Sequence, residues 1–124
     1  MEITMKTILA VDDNPANLTL VRETLKNNYK VTVVTSGEQA LRFLEKKTPD
    51  LILLDVCMPG MDGIETLEQM RGLENSSSWQ VIMLTALADN DLVEESRKAG
   101  AVGCIAKPFE PEEMLATIKA VLGE

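Results

Sequence analysis

Five short, unbroken apolar runs recur along the chain: Ile8-Leu9-Ala10-Val11, Val31-Thr32-Val33-Val34, Leu51-Ile52-Leu53-Leu54, Val81-Ile82-Met83-Leu84 and a weaker Val102-Gly103-Cys104-Ile105-Ala106. Each is too short for a helix and too continuously apolar for a half-exposed strand. Runs of this kind, rich in Val and Ile, suit strands buried on both faces, as in a parallel sheet flanked by helices. Parallel neighbours need long crossover connections, and the gaps between the runs carry helical patterns. Leu18, Val21 and Leu25 repeat at helical spacing after Asn14-Pro15, a cap followed by a first-turn proline. Ser36-Gly37-Glu38-Gln39 has the spacing of a capping box ahead of Ala40, Leu41 and Leu44. Ile64, Leu67 and Met70 form an apolar row, Leu92, Val93 and Ala99 precede a stop at Gly100, and Met114, Leu115, Ile118, Val121 and Leu122 mark a last helix after Glu110-Pro111. The alternation predicts a doubly wound α/β domain of the pattern (βα)₅, with right-handed crossovers.

Length allows one such domain and no more: 124 residues bury about two thirds of their unfolded surface. Residues 1–124 are therefore read as one unit, with Gly72 to Ser78 as a solvated connection. A net charge of −8 repels nucleic-acid phosphates and anionic lipid, so direct binding to either is not expected. The chain has no leader pattern and no apolar run long enough to span a membrane, and a cytoplasmic protein is expected. Cys57 and Cys104 are far apart, and the chain contains no histidine. That excludes Ser-His and Cys-His nucleophiles and a zinc site of the usual kind, and leaves carboxylates, lysine or a hard metal for any chemistry.

Ligands of open parallel sheets bind outside the carboxyl ends of the strands. Asp12 and Asp13 follow the first run, Asp55 closes the third, Thr85 closes the fourth and Lys107 follows the fifth. The second run ends in the uncharged Thr35-Ser36, as befits an outer strand. Three carboxylates and one ammonium in a small cleft sum to −2, which one Mg²⁺ would neutralise. Oxygen ligands favour Mg²⁺ over zinc, with the carboxylates of Asp12, Asp13 and Asp55 and the backbone carbonyl of Cys57 as its ligands. A carboxylate beside such an ion can attack a phosphoryl group, and Asp55 is the best placed nucleophile. Lys107, the Thr85 hydroxyl and the Ala86 backbone N–H can then bind the transferred group.

Four segments carry a resemblance to the receiver domain of two-component response regulators. They are Ile8-Leu9-Ala10-Val11-Asp12-Asp13-Asn14, Leu53 to Gly63 with Asp55 and Met58-Pro59-Gly60, Leu84-Thr85-Ala86, and Ala106-Lys107-Pro108-Phe109. The resemblance covers nearly the whole chain and implies a flavodoxin-like sheet in the order 2-1-3-4-5. First and third strands are then neighbours, about 4.8 Å apart, and Asp13 and Asp55 converge. It also implies a histidine kinase or histidine phosphotransfer protein as donor, a downstream effector domain or protein as listener, and a cis Lys107-Pro108 bond. The expected role is a phosphoacceptor switch that catalyses its own phosphorylation and slow dephosphorylation, not an enzyme with a separate substrate. One position departs from the family: Cys104 stands where an aromatic residue is usual, which shifts the expected readout toward the Leu87-Ala88-Asp89 loop and the fourth helix.

Two other functions share parts of this inventory. A carboxylate-nucleophile phosphatase would place a DxD pattern after the first strand, whereas Asp12 and Asp13 are adjacent. A flavin or dinucleotide binder would need a glycine-rich first loop, and Asp12-Asp13-Asn14-Pro15 is acidic and glycine-free. Met58 and Met61, read as exposed, suit either a partner patch or, the preferred reading, a loop packing over the third helix, and Trp79 stands before the fourth strand, about 16 Å from the cleft at ~3.3 Å per strand residue. No residue pattern specifies an oligomer.

Overall fold

A computed structural model of the chain describes residues 5–73, 76–86 and 90–124. Its elements alternate as the apolar runs require: β1 (Thr7–Val11), α1 (Pro15–Leu25), β2 (Lys30–Val34), α2 (Gly37–Lys46), β3 (Leu51–Asp55), α3 (Gly63–Met70), β4 (Gln80–Thr85), α4 (Asn90–Lys98), β5 (Gly103–Ala106) and α5 (Pro111–Leu122). The five strands form one parallel sheet in the order β2-β1-β3-β4-β5. Every residue of β3 is buried, because helices cover both faces. Side chains alternate between the faces, so Leu9, Ile52, Leu54, Val81 and Met83 join α2 and α3 on one side. Ile8, Ala10, Leu53, Ile82 and Leu84 join α1 and α5 on the other.

Local chemistry sets the helix starts. Asn14 accepts from Ala16 N at 2.9 Å, with Pro15 in the first turn of α1. At α2, Ser36 accepts from Gln39 N, but the Gln39 side chain accepts from Thr35 N and its hydroxyl, so the box is only half formed around Ser36. A complete capping box opens α3 instead, between Asp62 and Glu65. Gly63 is obligatory there, because a Cβ would collide with the Asp55 carbonyl oxygen and Val56 Cα. The bare backbone lets α3 begin directly behind the end of β3, and Gly63 N donates to Val56 O at 2.8 Å.

Three sequence expectations change. Met58 is buried in the α2–α3 core rather than exposed, while Met61 is half-buried beside Gly37. The connection before β4 is more than a solvated link. It contains a 3₁₀ turn, Ser76–Ser78, and Arg71 anchors Ser76 by donating to its carbonyl while the Ser76 hydroxyl donates to Arg71 O. β5 begins at Gly103, leaving Val102 half-exposed outside the strand. The Leu87-Ala88-Asp89 loop lies outside the described residues.

Candidate functional site

The expected residues meet at the carboxyl end of the sheet. Strand pairing aligns Val11 with Leu54, so Asp12 and Asp55 leave neighbouring strands at the same level. On the other side Asp55 pairs with Leu84, and Thr85 pairs with Ala106 one residue before Lys107. Lys107 N donates to Thr85 O at 2.8 Å, and the Lys107–Pro108 bond is cis. Asp12, Asp55 and Thr85 are buried, whereas Asp13 and Ala86 are exposed. One oxygen each from Asp12, Asp13 and Asp55 lie within 4.8 Å of one another.

Lys107 ties this cluster together. Its Nζ lies 2.9 Å from Asp12 Oδ2 and 3.0 Å from Asp55 Oδ1, so it bridges two aspartates. Asp12 is held on every side: Oδ1 accepts from Asn14 N at 2.9 Å and Oδ2 also accepts from Asn17 Nδ2 at 3.2 Å. Asn17 was not anticipated from sequence. Its signal was a polar residue in the first turn of a helix that starts beside two aspartates. Asp13, by contrast, has no protein hydrogen bond or ion pair among the described residues, leaving its carboxylate open at the rim.

Burial pushes the Asp55 carboxyl up to about 6, opposed by its hydrogen bond to Lys107 and reinforced by the Asp12 charge. Burial works against the Lys107 ammonium, but its hydrogen bonds to Asp12 and Asp55 and their charges prevail and raise its pKa. One ammonium does not balance three carboxylates, and the remaining negative charge is the electrostatic signature of a cation site. All three side chains offer hard oxygen donors and no histidine is present in the chain, which fits Mg²⁺ and disfavours zinc. The Cys57 side chain is exposed. A backbone carbonyl at that position places no demand on it.

These features define an acidic, lysine-bridged cleft at the carboxyl end of a doubly wound sheet, and similarity to known proteins gives the family. Residues 8–119 match the model of the response regulator receiver domain, and the chain belongs to that family. It is a phosphorylation-dependent signalling switch of the two-component type. It is 39% identical to the sporulation initiation phosphotransferase F of Bacillus subtilis, over 93% of this chain and 92% of that one. The nitrate/nitrite response regulator protein NarL of Escherichia coli is 38% identical over 95% of this chain, which spans 56% of its length. Several matched regulators are thus about twice as long as this chain.

Among solved structures, chemotaxis protein CheY4 of Vibrio cholerae superposes with a TM-score of 0.91 at 34% identity, covering 95% of this chain and 99% of that one. The receiver domain of sensor histidine kinase PA1611 of Pseudomonas aeruginosa superposes with a TM-score of 0.89 at 34% identity, over 98% and 100% of the two chains. That structure has a magnesium ion coordinated in its active-site cleft. No helix among the described residues is long and apolar enough to cross a membrane.

Proposed function

We propose that Asp55 is the phosphoacceptor of this switch and that Asp12, Asp13, Asp55 and the Cys57 backbone carbonyl hold Mg²⁺. The observation that carries this reading is the Lys107 ammonium bridging Asp12 and Asp55 beside the open Asp13 carboxylate. An Asp55 carboxylate oxygen attacks phosphorus, and the bond from phosphorus to a donor nitrogen breaks with its electron pair leaving on the donor. With no histidine among residues 1–124, that nitrogen lies outside them, on a histidine kinase or histidine phosphotransfer protein. Bound Mg²⁺ would supply positive charge against the oxygens of the transferring group.

The chain's own residues do the rest. Lys107 holds Asp55 in position before transfer, and its charge then favours the added phosphoryl oxygens. The Thr85 hydroxyl and Ala86 N–H, at the end of β4, bind the same oxygens. Hydrogen bonds from Asn14 N and Asn17 keep Asp12 oriented, so little rearrangement is needed when the cation enters. Slow hydrolysis of the acyl phosphate resets the switch, and a downstream effector domain or protein reads the phosphorylated form. Residues 1–124 act as one receiver unit in the cytoplasm, and the −8 charge argues against nucleic acid as a direct partner.

Intact mass after incubation with Mg²⁺ and a small acyl-phosphate donor tests the site. One added phosphoryl group is expected, and none in Asp55→Asn or with chelator. Incorporation into Asp55→Asn at the parent level would remove Asp55 from the role.

A further inference from the structure

The opposite end of the sheet carries a second cavity, of about 310 Å³, between the start of β2 and the end of α2. Both elements contribute to its walls. Lys30, Thr32 and Val34 share the face of β2 that turns toward α2, while Val31 and Val33 pack on the other side. Val34 packs against the core that α2 covers, whereas Lys30 and Thr32 face the last turn of α2 and the residues after it, Phe43 to Pro49, across open space. The gap is lined by Thr7, Lys30, Thr32, Phe43, Lys47 and Thr48, with the half-buried Phe43 ring as its apolar wall.

Charge separates this cavity from three others lined by described residues. The groove between α3 and α4 mixes Glu68 and Glu95 with Arg71 and Lys98, and that beside α1 sets Glu23 against Arg22. The cavity over Cys104 has one cation, Arg97, which is already held by both carboxylate oxygens of Glu94. Here two ammonium groups, Lys30 and Lys47, line one space. Neither has a carboxylate within ion-pair distance among the described residues. The neighbouring carboxylate, Asp50, accepts from the Thr7 N–H and hydroxyl at 2.7 and 3.2 Å rather than pairing with either lysine. The two ammonium groups therefore stand beside an aromatic ring and the Thr32 and Thr48 hydroxyls.

We propose that this cavity binds a small organic anion with a planar apolar body, its ring against Phe43 and its carboxylate, sulfonate or phosphate between Lys30 and Lys47. Ligand sites usually span about 300–1,000 Å³, and this volume, at the lower end, fits a molecule of one or two rings rather than a nucleotide. Apolar walls supply affinity and the paired cations select the charge. The site is independent of Asp55, from which it is separated by the length of the sheet.

Amide ¹H–¹⁵N spectra of the full chain titrated with 2-naphthalenesulfonate test this. The probe has the required ring and charge and cannot transfer a phosphoryl group. Saturable shifts are expected at Thr7, Thr32, Phe43, Lys47 and Thr48, with affinity falling about tenfold in Lys30→Gln/Lys47→Gln. The neutral 2-naphthalenemethanol is expected to bind at least about fivefold more weakly. The variant's remaining resonances report whether it stays folded, and Phe43→Leu provides a second variant that keeps both cations and weakens binding. Shifts centred on another surface, equal binding of the neutral alcohol, or unchanged affinity in the folded double variant would overturn the proposal. So would an absence of saturable shifts at millimolar probe.

Discussion

The two ends of the central sheet solve opposite problems with the same backbone. At the carboxyl end, Asp12 and Asp55 are buried with one lysine between them, and negative charge is left over. At the amino end a half-buried charged residue satisfies its neighbours. Arg71 donates to Ser76 O at 2.5 Å and to Gly100 O at 2.6 Å, with a longer contact to Trp79 O at 3.4 Å. One guanidinium thus ties the end of α3 to the approach to β4 and the turn before β5. Gly100 has a φ of +109° and packs against that guanidinium, where a side chain would be both strained and obstructed. Charge that is matched to carbonyls stabilises the fold, and charge left unmatched is available to a cation and a phosphoryl group.

The contrast can be broken at its strongest point first. Asp55→Asn is expected to abolish phosphoryl incorporation by intact mass while the chain stays folded. Arg71→Ala is expected to destabilise by about 3 kcal/mol in urea unfolding, since it strands backbone carbonyls that a neutral side chain cannot reach. Arg71→Lys should recover only part of that, because one ammonium lacks the guanidinium fork.

The same Asp55→Asn change should stabilise the fold. The folded Asp55 carboxyl titrates at about 6 against an ordinary 3.8, so the native state favours its neutral form. Its contribution is fully present below about pH 4 and is lost as pH rises through about 6. With chelator present, Asp55→Asn is therefore expected to gain about 1–2 kcal/mol over the parent at pH 7.5 and little at pH 4, by urea titration at each pH. Saturating Mg²⁺ should shrink the gain at pH 7.5 by stabilising the parent's carboxylate. An equal gain at both pH values would mean that packing, not charge, sets the effect.

Two spectroscopic outcomes are smaller. Trp79 is the only tryptophan, buried at the amino end of β4, and its emission should barely respond to Mg²⁺. Strong quenching would contradict its placement at the opposite end from the cation. Tyr29, the only tyrosine, is buried and donates from its hydroxyl to Glu124 Oε1 at 2.6 Å. Burial first, then the Glu124 hydrogen bond and charge, raises its phenol well above the ordinary 10.0. This contribution to stability is present below the ordinary phenol pKa and is lost above it. Absorbance near 295 nm should stay flat through that range and rise only with unfolding.

Much of this molecule was readable without coordinates because its chemistry is repetitive and local. Apolar runs of four or five residues separated by helical rows determine alternating strands and helices, and Asn14-Pro15 specifies a helix start through its own side chain and fixed φ. Asp12, Asp13, Asp55, Thr85 and Lys107 could be assigned to one edge because each sits where an apolar run ends. What tertiary structure decided were relations between segments distant in sequence. Lys107 reaches Asp12 as well as Asp55, and Asn17 orients Asp12, because strand order and register bring these groups within hydrogen-bond range. Met58 looks like a loop residue by its neighbours yet is buried, since α3 folds back directly behind β3 across the bare Gly63. The Lys30–Lys47 cavity likewise exists only because the start of β2 and the end of α2 are brought face to face by the fold. Periodicity records which face of an element is apolar; it carries no record of which element will face it.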